Sequence, residues 1–289
     1  THLEEAGISK KTPLSPQPES PAIPPSKGKT LLEKEEAMNL LLDAEKGDAQ
    51  GAGADFSLVA KSAGHGGETL REAAEQFARL LEVEGCSQTT KAQEDYALID
   101  GTLKPGQKRA EAVTQFLRLA DAENDTSQAR GDFALLQRNL PSGTTLTRAT
   151  SQFLSLLNCE GAENTVDVQA DFRTIQQSLK EGETWEAAFE QFRRLYDMEL
   201  NRSFALEDFA VISETLKKGE SRKMATDQFI RLYDAEQSRR DAISDYRLIR
   251  RVAGQDSLEE GTTRFLKLLN KAGSDNTAAV QGSFNLLYQ

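Results

Sequence analysis

The chain has 289 residues, 38% of them apolar and 28% charged, with a formal net charge of −11. A chain this acidic repels nucleic acid and anionic membrane at long range, which argues against both as partners. No stretch approaches the roughly 18 apolar residues of a membrane-spanning helix, and the opening THLEEAGISKK lacks the apolar segment of a secretory signal.

Residues 1–29 read as a disordered, proline-rich leader. The stretch KKTPLSPQPESPAIPPSKG, residues 10–28, holds six of the eight prolines. Such a segment favours polyproline II or disorder over a packed core. Thr12-Pro13, Ser15-Pro16 and Ser20-Pro21 suit a proline-directed kinase, and Pro21-Ala22-Ile23-Pro24 is a PxxP that an SH3-type domain reads. A linker is the first expectation, a docking motif the second and a secretion-related leader the third.

From residue 30 onward the chain repeats itself. VQADFRTIQQSLKEGETWEAAFEQFRRLYDME (168–199) and ALEDFAVISETLKKGESRKMATDQFIRLYDAE (205–236) agree at 15 of 32 positions without a gap. An Asp-aromatic pair marks each unit: Asp55-Phe56, Asp95-Tyr96, Asp132-Phe133, Asp171-Phe172, Asp208-Phe209 and Asp245-Tyr246, with Ser283-Phe284 degenerate. Their spacings are 40, 37, 39, 37, 37 and 38. Gln76-Phe77, Gln115-Phe116, Gln152-Phe153, Gln191-Phe192 and Gln228-Phe229 keep step, with Arg264-Phe265 last and Ala37-Met38 a worn first member. A fixed period of this length is the signature of a repeat array.

Each unit reads as two helices. In the first, helix A, Phe209, Ile212 and Leu216 make one apolar stripe; in the second, helix B, Ala225, Phe229, Leu232 and Tyr233 make another. A glycine 11 residues after the Asp separates them, at Gly66, Gly106, Gly143, Gly182 and Gly219, and is expected to end helix A in the left-handed region. Polar joints such as ENDTS and EGAENT supply caps for the next helix A. A small residue recurs one turn before the helix-B aromatic (Ala73, Ala112, Ala149, Ala188, Ala225, Gly261), where it admits a neighbouring helix.

One hairpin alone cannot bury its stripe, so the units must stack. The expected fold is all-α, an α-solenoid of about six to seven two-helix repeats of 37–40 residues. The units fall near 30–48, 49–87, 88–124, 125–161, 162–200, 201–237 and 238–273, with a partial one at 274–289. That last unit lacks its helix B, so either Leu286, Leu287 and Tyr288 fold back as a cap or the parent chain continues, the latter favoured. In architecture the array resembles the tetratricopeptide and related α-solenoid repeats over residues 30–289, with Asp-Phe, Gly and Gln-Phe in place of the Trp, Leu-Gly and Tyr pattern. The resemblance implies stacked helical hairpins with an extended binding face.

Few residues point to chemistry. Cys86 and Cys159 fall two repeats apart, roughly 20 Å at helix-stacking distance and beyond disulfide reach. Both are expected as free thiols in a reducing, cytoplasmic setting, including a host cytosol. His2 and His65 have no metal-spaced company. No catalytic residue, metal or cofactor is assigned. The recurring Asp reads as structural, with the Gln of Gln-Phe as expected partner and Arg194 and Arg231 as alternates. Trp185 reads as a plug between units.

Variability lies at positions one, four and five after the helix-A aromatic. The sixth unit carries Arg247, Arg250 and Arg251 there, just after Arg239 and Arg240; Arg138, Arg173 and Gln177 occupy such positions in earlier units. These six, Arg138, Arg173, Gln177, Arg247, Arg250 and Arg251, are the candidate partner-binding residues, because guanidinium forks bind carboxylate or phosphate in two-point contact. The expected function is a non-enzymatic scaffold that binds an acidic or phosphorylated segment of a protein partner. The alternative is the recruitment or targeting region of a larger enzyme or bacterial effector delivered into a host cell.

Overall fold

The computed structural model describes residues 27–289 apart from 141, 142, 162, 163 and 255. The leader motifs and His2 lie outside the described residues. The first helix begins at Lys27, three residues ahead of the expected boundary. Among the described residues the regular elements are helical: α1 (Lys27–Ala44), α2 (Ala49–Ser62), α3 (Leu70–Glu84), α4 (Thr89–Thr102), α5 (Arg109–Glu123), α6 (Thr126–Arg138) and α7 (Leu146–Glu160), then α8 (Thr165–Gln177), α9 (Trp185–Glu199), α10 (Arg202–Thr215), α11 (Arg222–Glu236), α12 (Arg239–Val252), α13 (Leu258–Ala272) and α14 (Thr277–Leu287). Helix α1 is a lone helix B and α14 a lone helix A, with six hairpins between them.

Successive helices pack as hairpins, and helices two apart stack: α2 on α4, α4 on α6, α10 on α12 and α12 on α14 in one layer, α1 on α3, α3 on α5 and α9 on α11 in the other. This is the expected all-α repeat solenoid. Its two sequence signatures meet in the core. Each helix-B Phe packs edge-on against the next unit's helix-A aromatic: Phe77 on Tyr96, Phe116 on Phe133, Phe153 on Phe172, Phe192 on Phe209, Phe229 on Tyr246 and Phe265 on Phe284. Ring centroids lie 5.3–6.0 Å apart. Such pairs add about 0.5–1.5 kcal/mol each beyond area burial. The recurring Ala is fully buried in all five units that carry it. Trp185 is buried between Phe172 and Phe189, with centroids at 4.9 and 5.1 Å; both rings belong to its own α8–α9 hairpin, so it fills the inside of one unit where a plug between units was expected.

Unit length is set by the joint between units. The shorter, 37-residue spacings coincide with two-residue joints that open on a left-handed residue: Asn124 (φ 52), Leu200 (φ 49) and Gln237 (φ 54). Three of the longer joints open instead on a glycine, Gly85 (φ 84), Gly161 (φ 90) and Gly273 (φ 87), while the first, 45–48, carries left-handed Lys46 (φ 53) before Gly47 (φ 91). Asp48, Asp125, Asn201 and Ser238 cap the following helix A through their side chains, as expected of the polar joints. The inter-helix glycines depart from expectation. Helix A ends several residues earlier, and the glycine instead sits two residues before the helix-B N-cap. There Gly106, Gly143, Gly182 and Gly219 hold φ near 80°; in the first complete unit that place falls to Gly67 (φ 77) rather than Gly66.

The aspartates also depart. The glutamines of Gln-Phe do not meet them. Gln76, Gln115, Gln191 and Gln228 accept instead from Arg79, Arg118, Arg194 and Arg231, one turn on in the same helix. Each Asp is fully buried and is met from the next helix A: Asp55 by Gln93, Asp95 by Arg130, Asp132 by Gln169, Asp171 by Arg202, Asp208 by Arg239 and Asp245 by Gln281. The role is structural, but the partner belongs to the neighbouring unit. At the far end Val280 and Phe284 pack into the core and Tyr288 lies against the Phe284 ring, tilted, at 5.1 Å, while Leu286 and Leu287 stay exposed.

Candidate functional site

The six candidate residues divide once they are placed. Arg138, Arg173, Gln177, Arg247 and Arg251 are exposed, at positions one or five after the helix-A aromatic. Position four is different. Asp100, Gln137, Gln176, Ser213 and Arg250 turn in beneath the loops. The Arg250 guanidinium is nearly buried. It binds Glu220 of the preceding unit at 2.7 Å, donates to the Tyr246 hydroxyl and lies 5.4 Å over that ring. Arg109 and Arg222 do the same work from helix B: Arg109 holds Glu68 and Asp100, and Arg222 holds Glu183 and Ser213. Arg250 is therefore a loop anchor, and its assignment to a binding surface is withdrawn.

Arg247 and Arg251 line a groove of about 500 Å³ between α12 and α14. Arg240 joins them, so that residues 240, 244, 247 and 251 recur at i, i+4, i+7 and i+11, one face of α12. At 1.5 Å per residue the three arginines span about 16 Å. Ile243 and Leu248 add apolar wall, and Gln281 and Asn285 form the opposite side from α14. Gln281 is pinned, donating to Ser244 Oγ at 3.1 Å and to the buried Asp245 at 2.6 Å. No acidic side chain among the described residues lines the groove. Among the described residues none of Arg240, Arg247 and Arg251 forms an ion pair; Arg239, at the groove's edge, is committed to Asp208 and Glu207 at 2.8 and 2.7 Å.

Ser238 caps α12 by accepting from Asp241 N, and Ala242, Tyr246 and Ile249 bury the inner face. The outer face is thereby held toward solvent. Arg138 on α6 and Arg173 and Gln177 on α8 occupy equivalent positions, but α10 intervenes with Ala210 and Glu214, so they do not join the groove. Ser244, Gln281 and Asn285 escaped sequence reasoning. The seven-residue step from Arg240 to Arg247 was the available signal on α12; Gln281 and Asn285 sit in the last, incomplete unit, and only the stacking brings them opposite.

The chain matches no family model, no curated protein and no solved structure. Among the described residues no group of three or more His, Cys, Asp or Glu is arranged to hold a metal ion, and no helix is long and apolar enough to cross a membrane. His65 Nδ1 lies 3.2 Å from Asp100, a surface pair beside the Arg109 anchor. Cys159 is exposed, Cys86 half-buried, and both are free. The groove offers guanidinium, hydroxyl and amide groups, which suit recognition of an anionic, extended ligand.

Proposed function

We propose that the chain is a non-enzymatic scaffold that holds an acidic or phosphorylated segment of a partner protein in the α12–α14 groove. One observation carries this reading: Arg240, Arg247 and Arg251 share a face, line a groove and form no ion pair among the described residues. On a chain of net charge −11, three uncompensated guanidinium groups make a local attraction that the global field opposes, which favours a short anionic segment over a polyanion. Two-point contacts to carboxylate or phosphate fit the arginine forks, and Ile243 and Leu248 leave room for apolar side chains between them. The architectural resemblance to tetratricopeptide arrays supports a recognition role.

The test is fluorescence anisotropy with a labelled acidic peptide carrying one phosphoserine, beside its unphosphorylated and charge-neutral versions. Charge-assisted contacts contribute about 1.5–3 kcal/mol each, so Arg247→Glu with Arg251→Glu should weaken binding at least tenfold. Arg173→Glu should leave it unchanged. Equal affinity for the double variant and the native chain would refute the placement.

A further inference from the structure

A second recurring cluster lies inside the stack and has no part in the groove. At the end of every helix B but α13 stands a glutamate: Glu45 just past α1, then Glu84, Glu123, Glu160, Glu199 and Glu236 in the last turns of α3, α5, α7, α9 and α11. Each glutamate lies against the aspartate of the following helix A: Asp55, Asp95, Asp132, Asp171, Asp208 and Asp245. Both carboxyls of each pair are withdrawn from water. Among the described residues, oxygens of these pairs face no hydrogen-bond partner, including Asp132 Oδ2 with Glu123 Oε2 and Asp245 Oδ2 with Glu236 Oε1. Two ionised carboxylates only accept. A proton between them supplies the missing donor.

The next helix A answers each pair in one of two ways. At three joints it sends a hydroxyl to the glutamate and an amide to the aspartate. Thr89 and Gln93 bond Glu45 and Asp55 at 2.9 and 2.7 Å, Thr165 and Gln169 bond Glu123 and Asp132 at 3.1 and 2.5 Å, and Thr277 and Gln281 bond Glu236 and Asp245 at 2.7 and 2.6 Å. At the other three it sends one guanidinium to both carboxyls: Arg130 to Glu84 and Asp95, Arg202 to Glu160 and Asp171, Arg239 to Glu199 and Asp208. The arginine stands either where the glutamine stands elsewhere (Arg130) or where the threonine does (Arg202, Arg239).

The charges then differ by joint. With both carboxyls ionised an arginine joint carries −1, and a Thr/Gln joint carries −2 with no cation. The groups facing Asp55 are Glu45, Asp48 and Gln93; those facing Asp132 are Glu123 and Gln169; those facing Asp245 are Glu236, Asp241 and Gln281. At the arginine joints Glu94, Asp167 and Glu207 also border the guanidinium.

We propose that each Asp–Glu joint is a proton-binding site whose shared proton holds neighbouring repeats together, and that losing it to water at alkaline pH loosens the stack, most at the three arginine-free joints. The direction of titration agrees. Burial, with the facing glutamate added, pushes Asp132 up to about 9 and Asp245 up to about 8, while the guanidiniums of Arg130 and Arg239 pull back against burial and leave Asp95 and Asp208 at about 7. Asp55, in the arginine-free class, reaches about 7, and Glu160 at the Arg202 joint reaches about 8, so raised carboxyls occur at both kinds of joint. These values are raised, so the folded chain holds protons that the unfolded chain has released above about pH 4. The stability these joints contribute is therefore fully present below that pH and is lost as pH rises through about 7 to 9.

The test uses the full chain. Infrared absorption of neutral carboxylic acid is followed from pH 4 to 10, and the urea midpoint is measured over the same range. A neutral-acid band should persist at pH 6 to 7, lose intensity in Asp132→Asn with Asp245→Asn, and fade between pH 7 and pH 10. The native midpoint should fall from pH 5 to pH 9, and the asparagine variant should fall less and exceed the native chain at pH 9. Gln169→Arg, which rebuilds an arginine joint, should flatten the native curve in part. Full ionisation of the native chain by pH 6, or a midpoint level or rising from pH 5 to 9, would overturn the proposal whether or not a variant folds.

Discussion

Arg109 is the most deeply buried cation described, and its removal is the sharpest structural perturbation available. Its side chain is 0% exposed. It binds Glu68 at 3.0 Å, Asp100 at 2.5 Å and the Ser62 carbonyl at 3.0 Å, and lies 4.9 Å over the Tyr96 ring. Arg109→Met keeps the methylene stem and deletes the fork, leaving two carboxylates without their cation. Breaking a buried pair by removing one partner costs about 3–5 kcal/mol. Glu68 keeps its bond from Ala110 N at 3.1 Å, and His65 stays beside Asp100, so the lower figure, about 3 kcal/mol, applies. With a urea slope near 3 kcal/mol/M for a chain of this size, the midpoint should fall by about 1 M. The assay is urea unfolding read by circular dichroism, with slope and midpoint fitted separately. Adding Glu68→Gln and Asp100→Asn should restore most of the loss, because the uncompensated charges are then gone. A midpoint within about 0.2 M of native for Arg109→Met would refute the anchor argument.

Trp185→Ala should cost about 3–5 kcal/mol, since it removes a buried plug packed on Phe172 and Phe189; Trp185→Phe should cost much less, both read as urea midpoints. Leu200 holds φ 49° and is exposed, so Leu200→Asn, the residue type of the matching Asn124 joint, should raise stability by about 0.5–1 kcal/mol. Arg250→Met should lower the melting temperature and leave peptide binding intact, and Arg247→Glu should do the reverse. Partial burial, with Asp197 nearby, raises the Cys159 thiol above its ordinary value; its reaction with a disulfide reagent at pH 7 should be slower than that of a small thiol and should accelerate as pH rises.

The fold was legible because both repeated pairs face the same contact. The helix-B Phe and the next helix-A aromatic touch across every joint after the first, so each must recur. The aspartate's partner was not legible. Its donor alternates between Gln and Arg and between two positions, Gln93 and Arg130 at one, Arg202 and Arg239 at the other, so no single residue type keeps step. Arg250 misled for a related reason: its counterparts Arg109 and Arg222 reach the same loop site from a different helix. Helical spacing placed Arg247 and Arg251 on the outer face, but the opposite wall from α14 depends on stacking geometry that periodicity does not encode.

The central claim is that an anionic segment binds the α12–α14 groove, and arginine side-chain NMR tests it directly. The Nε–Hε signals of Arg240, Arg247 and Arg251 would be assigned by substitution and followed as the phosphoserine peptide is added. These three should shift together with one dissociation constant, while Arg138, Arg173 and the buried Arg250 stay still. Shifts confined to Arg138 and Arg173, or no arginine shift at saturating peptide, would contradict it.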